Sequence, residues 1–208
     1  MRPDLLIWDR QHAGKRSRPS DMGAAADVDG DGRIATWERE AELTPRYIQP
    51  GIVEAEVWGL ESKLIDPLGA GLQADYPQRH REAVSLAQGR PRAAYLACHL
   101  NAGGGDYALV GHVPRSTLGR ALAEAIATEL ELSIPVISRC RVEALEGRWA
   151  RGLPTIRGAL APGLPGLAGV LLEPLFLDAP EHQAYIHEGG LTAVGQAIAR
   201  GVRRWANA

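Results

Sequence analysis

Cysteine is scarce in this chain. Cys98 and Cys140 are the two in 208 residues, too few to frame a disulfide scaffold. No stretch approaches the length of a membrane span, so none is expected. Charge of one sign is not in excess either. The net charge of −2 excludes a chain that holds polyanions through its overall charge, and no nucleic-acid partner is expected. Internal repeats and low-complexity tracts are absent, which sets aside solenoids and disordered linkers. Asp4 comes at once, and the apolar run after it is too short for a signal peptide. The chain is therefore expected to be made in a cytoplasm without a leader.

What is present describes an ordinary soluble globular protein, 45% hydrophobic and 23% charged, long enough for one domain over residues 1–208 with a full core. A monomer is expected. Residues 4–9 read as a first buried strand, followed over 10–50 by a long loop with a short helix near 35–43. Val57, Leu60, Leu64 and Ile65 fall at helical spacing and predict a helix over 53–66, ended by Pro67. Strands are expected at 93–98, 107–113, 134–138 and 168–173. Ser116 is placed to cap a helix whose apolar face carries Leu118, Leu122, Ala125, Ile126 and Leu130. Asp178-Ala179-Pro180-Glu181 resembles a capping box, and Leu191, Val194, Ile198, Val202 and Trp205 mark a last amphipathic helix. Alternation of strand and helix predicts an α/β fold with a mainly parallel twisted sheet flanked by helices. The run 147–166, rich in Gly, Pro and Arg, is too long for an ordinary connection and reads as a functional loop.

Four segments carry a lone titratable group, three of them at or just after strand ends, where such a sheet places its chemistry, and the fourth, Glu54, at the opening of a helix. Tyr95-Leu96-Ala97-Cys98 ends on His99, and Leu5-Leu6-Ile7-Trp8-Asp9 is followed by His12. Gly51-Ile52-Val53 leads to Glu54, with Glu56 competing for the same role, and Val170-Leu171-Leu172 finishes on Glu173. Two imidazoles and one carboxylate are a set that suits catalytic zinc with a fourth position open, and a further carboxylate can then handle the proton. His112 follows a strand soon after the turn 103–105 and is expected to line the cleft. His80, His182 and His187 read as solvated. Arg10, Lys15, Arg16 and Arg18 flank His12 and can hold carboxylates of a substrate, as can Arg157 in the long loop.

Residues 27–38 match the EF-hand calcium pattern position for position. Asp27, Asp29 and Asp31 supply alternate carboxylates, Gly32 the sharp turn, Arg33 its backbone carbonyl, Ile34 the apolar anchor and Glu38 the bidentate close. A lone loop without a partner hand is expected to hold calcium structurally, pinning an insertion beside the site.

Taken in order, these motifs resemble those of the zinc-dependent N-acetylmuramoyl-L-alanine amidases whose first motif reads Asp-Pro-Gly-His-Gly-Gly. Asp9, His12 and Gly14 match it. The family's Gly-x-x-Glu appears as Gly51-Ile52-Val53-Glu54, its Ser-Ile-His-Ala-Asn-Ala matches at His99, Asn101 and Ala102, and its Glu-x-x-Phe-Leu matches at Glu173, Phe176 and Leu177. The resemblance implies zinc held by His12, Glu54 and His99, with Glu173 as catalytic acid/base. It implies hydrolysis of the amide between N-acetylmuramic acid and L-alanine in peptidoglycan; Asn101 in the third motif is expected toward the substrate, as are His112 and Arg157 from their own positions. A chain of this size without a leader is expected to come from a phage or prophage endolysin acting on the cell wall. Two other functions fit the same residues: a zinc peptidase cutting the stem or cross-bridge peptide, and a calcium-dependent wall-binding module without catalysis.

Overall fold

Period-two alternation in three strands sets the architecture. In β1 (Leu5–Arg10), β3 (Ala93–Cys98) and β6 (Leu167–Glu173), Leu6, Trp8, Leu96, Cys98, Val170 and Leu172 face one core, while Leu5, Ile7, Tyr95 and Leu171 face another. Strands apolar on both faces belong in the middle of a sheet, and there they lie. The computed structural model describes residues 5–12, 14–18, 20–145 and 166–208, and with β2 at Glu61–Ile65 places six strands in the order β2-β1-β3-β6-β4-β5. The pairs β1–β2, β1–β3 and β3–β6 are parallel, whereas β4 (Tyr107–His112) runs antiparallel to β6 and carries β5 (Arg139–Ala144) parallel to itself.

The larger core lies between the sheet and α2 (Pro45–Val57), α4 (Thr117–Ser133) and α6 (Leu191–Ala206). Full burial of each aliphatic side chain there contributes roughly 1.5–3 kcal/mol. Helices α2 and α6 cross backbone to backbone. A Cβ on Gly51 would meet the Trp8 ring at 2.5 Å and the Gly195 carbonyl at 2.9 Å. The other face is covered more thinly, by α3 (Tyr76–Ala87) through Ala83 and Ala87.

Several elements follow the sequence reading. Ser116 accepts a hydrogen bond from Gly119 N at 3.0 Å and caps α4, and α6 buries the expected stripe from Leu191 to Trp205. Others do not. The helix expected over 53–66 ends at Val57, and β2 occupies Glu61–Ile65, so the helical spacing of Leu60, Leu64 and Ile65 is coincidental. The strand expected at 134–138 begins instead at Arg139. Asp178 does not cap α5 (Pro180–His187); its carboxylate accepts from Gly103 N at 2.6 Å and Gly104 N at 3.1 Å. His80 and His182 are buried rather than solvated, His182 accepting from Phe176 N at 2.9 Å, while His187 is exposed as expected.

Candidate metal centre

The parallel strands deliver their C-terminal ends to one edge of the sheet, where open α/β sheets gather their functional groups. His12 follows β1 with φ of 61°, a backbone that L-residues seldom adopt, and so turns back over the strand ends. His99 follows β3. Its N–H donates to Leu172 O at 2.9 Å, and its own carbonyl accepts from the buried Tyr47 hydroxyl at 3.0 Å. Glu173 closes β6 beside it.

A third ligand-capable group joins the two imidazoles, and it is Glu40. One ligand atom each from His12, Glu40 and His99 lies within 4.8 Å of the others. Glu40 Oε1 stands 2.9 Å from His99 Nδ1 and 3.5 Å from His12 Nε2, and it accepts from Leu100 N at 3.1 Å. Oε2 accepts from Ala24 N at 2.9 Å. Glu40 opens α1 (Glu40–Leu43), which follows a 3-10 turn at Thr36–Glu38. Burial acts to raise its carboxyl, but the bond and charge of His99 and the charge of His12 outweigh it and keep Glu40 below the ordinary carboxylate range. Burial lowers the pKa of His12 and so favours the neutral imidazole that ligates metals.

Glu54 is not part of this group. Helix α2 starts at the site edge and runs toward the opposite one, where β2 begins with Glu61 level with Leu5. Glu54, about two and a half turns along α2, is carried away from the histidines and is half-buried there; Glu56 is exposed. The glycine of the supposed Gly-x-x-Glu motif has a packing reason instead, the close crossing at Trp8. Little in the sequence singles out Glu40 among Glu38, Glu40 and Glu42. The useful signal is the acidic loop itself. Its stems are bridged at Ala25 and Arg39, and Glu40 N donates to Ala24 O at 2.8 Å, so the loop begins and ends beside the site and separates Glu40 from His12 only along the chain.

Glu173 has one carboxylate oxygen, Oε2, buried with no hydrogen-bond partner among the described residues. Burial raises its pKa, His99 opposes this, and Glu40 and Glu143 add to the rise. Such an orphaned acceptor beside two imidazoles and a carboxylate is a fit for a metal site with a water to be deprotonated.

The remaining expected residues divide. Asn101 lies two residues past His99, half-buried, its Oδ1 accepting from Ala102 N at 2.8 Å. His112 ends the inverted strand β4 level with Val170, whereas Leu109 stands level with Glu173. It therefore sits toward the other edge of the sheet, in a cavity of about 550 Å³ with Arg115 and Ser116, and does not line this cleft. Arg157 lies outside the described residues. Arg10 is spent on Ala41 O and on Asp66 and Glu42, and Lys15 on Asp21, so neither is free for a substrate; Arg16 and Arg18 are exposed. In the acidic loop, carboxylate oxygens of Asp27, Asp29 and Asp31 also lie within 4.8 Å of one another. Arg33 N donates to Asp31, and the buried Glu38 accepts from Val28 N at 2.5 Å, Asp29 N at 3.2 Å and Ala35 N at 2.6 Å.

Among known proteins, no family model and no curated sequence matches this chain. Solved structures do. Cwp6 from Clostridium difficile aligns over 97% of this chain with a TM-score of 0.73 and 14% identity, the chain spanning 29% of that protein. N-acetylmuramoyl-L-alanine amidase AmiC2 of Nostoc punctiforme aligns with a TM-score of 0.68 and 18% identity over 98% of this chain and 97% of that one. The catalytic domain of CwlV, an N-acetylmuramoyl-L-alanine amidase from Bacillus (Paenibacillus) polymyxa var. colistinus, gives 0.68 and 17% over 98% of each. From edge strand to last helix, the chain has the fold of the N-acetylmuramoyl-L-alanine amidases it is similar to.

Proposed function

We propose that this protein is a zinc-dependent N-acetylmuramoyl-L-alanine amidase, hydrolysing the amide between the lactyl group of N-acetylmuramic acid and L-alanine in peptidoglycan. The observation that carries the reading is the meeting of His12, Glu40 and His99 beside the unpartnered Glu173 Oε2, in a fold that amidases share. His12, Glu40 and His99 would hold the ion. When bound there, zinc supplies a Lewis acid for the amide carbonyl and lowers the pKa of water toward ~7.

The chain's own part is proton handling and orientation. Glu173 takes a proton from the attacking water as its oxygen adds to the carbonyl carbon. It then passes that proton to the nitrogen as the C–N bond breaks, so the poor amine leaving group departs neutral. A raised pKa suits this double duty, because the carboxyl must both accept and return the proton. Asn101, its Oδ1 already used, offers its amide N–H to the stem peptide.

The loop 27–38 is proposed to hold calcium through Asp27, Asp29, Asp31, the Arg33 carbonyl and Glu38, as a structural ion.

Digestion of purified murein, followed by identification of the new amino groups, tests the catalytic reading. Free L-alanine N-termini are expected, abolished by zinc chelation. A new amine elsewhere in the stem or cross-bridge would make the protein a peptidase. Murein binding that survives chelation, with no amine released, would make it a binding module.

A further inference from the structure

His12 sits on irregular backbone with a positive φ, so the chain alone does not fix the direction of its ring. Side chains around it do. Nδ1 is 3.0 Å from Asp21 Oδ1, and Nε2, on the other side, is 3.5 Å from Glu40 Oε1. Asp21 is itself tightly held. Its Oδ1 also accepts from Gly23 N at 3.1 Å, and its Oδ2 accepts from Lys15 Nζ at 2.6 Å. Lys15 is buried, with its ammonium 4.4 Å from the centre of the Tyr76 ring.

Two proton placements on His12 are open to this geometry. Lys15 Nζ lies 3.5 Å from Nδ1 and would donate to it if the ring carried its proton on Nε2. That arrangement sets a bare nitrogen lone pair against a carboxylate oxygen 3.0 Å away, in exchange for a bond at the limit of useful length. With the proton on Nδ1 the short contact becomes a hydrogen bond to a charged acceptor, the stronger kind. Lys15 is then left to its 2.6 Å bond with Asp21.

We infer that Asp21 is a positioning residue for the metal centre: it takes the Nδ1–H of His12 and commits Nε2 to the ion, with Lys15 fixing Asp21 in place. This rests on the reading of His12 as a zinc ligand. Carboxylates in this relation to a ligating imidazole typically contribute 10–100-fold to metal affinity.

The test is zinc affinity, measured by competition with a chromophoric chelator, on wild type, Asp21→Asn, Asp21→Ala and Lys15→Met. Asp21→Ala is expected to weaken zinc binding by roughly 10- to 100-fold, Asp21→Asn by less because an acceptor oxygen remains, and Lys15→Met least. A long-range proton–nitrogen spectrum of zinc-loaded wild type supplies a readout that no folding defect can imitate: His12 should carry its proton on Nδ1 and the metal on Nε2. Wild-type affinity in Asp21→Ala, or zinc on Nδ1, overturns the inference, as does a wild type that binds no zinc. A wild type that binds zinc through Nε2 but releases no amine from murein sinks the amidase reading and leaves this one standing.

Discussion

Two groups of ligand-capable side chains lie close together in this chain and are built on opposite principles. His12, Glu40 and His99 are largely withdrawn from water, mixed in chemistry and supported from behind by Asp21, Lys15 and Tyr47. Asp29 and Asp31 face solvent and Asp27 is half-buried; all three are carboxylates arranged by nearby backbone amides, as where Gly32 N donates to Asp27 at 2.8 Å. Nitrogen-rich sets of three suit zinc and leave a corner for water, whereas rings of oxygen suit calcium and surround it. The difference lies in burial and donor chemistry: the first group is mixed and largely enclosed, the second all-oxygen and open to water. Beside the first group, Glu173 keeps one buried carboxylate oxygen without a hydrogen-bond partner among the described residues.

Removing a ligand should have the largest effect. Glu40→Ala is expected to abolish both stoichiometric zinc, read by elemental analysis, and amine release from murein, while Glu54→Ala keeps both. The reverse result would break the assignment of the buried group. Next comes Glu173→Gln. It should retain zinc and lose roughly 10²- to 10⁴-fold in hydrolysis rate, the range general acid–base catalysis supplies. Retained activity would remove Glu173 from the chemistry.

The exposed group should answer to a different measurement. Calcium at about a hundred times its Kd would stabilise the fold by about 2.7 kcal/mol and raise the melting temperature by about 5–10 °C in a chain of this size. Asp29→Ala combined with Glu38→Ala should erase that rise while amine release at mild temperature changes little. Identical melting with and without calcium in the wild type would end the structural role.

His80 offers a control outside both groups. Burial, with Arg79 and Arg81 nearby, pushes its imidazole down to about 4, against 6.5 in the unfolded chain. Between those values the unfolded chain holds more protons, so stability falls as pH drops through that window. With partial solvation discounted, the loss is about 1–2 kcal/mol. His80→Phe, which keeps a ring beside Tyr76, should flatten the acid side of the stability curve without touching either metal response. An unchanged curve would show that His80 does not titrate as its burial requires.

What could be read from the chain alone follows from how each feature is encoded. The central strands announce themselves because both faces are apolar, and α4 and α6 because one face is. Edge strand β2, Glu-Ser-Lys-Leu-Ile, is half-exposed and looks like any amphipathic stretch; α3 buries Arg79 and His80, polar residues that read as solvent-facing. Arg79 spends itself on Asp9 at 3.0 Å and on Ala74 O, a pairing that no local pattern foretells. His12, His99 and Glu173 were legible because each ends or follows an apolar strand. Glu40 was not, because its neighbourhood is set by the bridge across the acidic loop rather than by spacing. His112 misled because the sequence does not say that β4 runs against β6.

The bridge between Ala25 and Arg39 has a practical corollary. The segment between those stems is seated in the host: Ala26 and Val28 belong to the larger core, and Gln183 Nε2 donates to Asp27 O at 3.0 Å. Excision and re-ligation at that junction would bring Glu40 nearer to His12 in chain order but would take Ala26 and Val28 out of the core, so a replacement cassette must carry apolar side chains of its own.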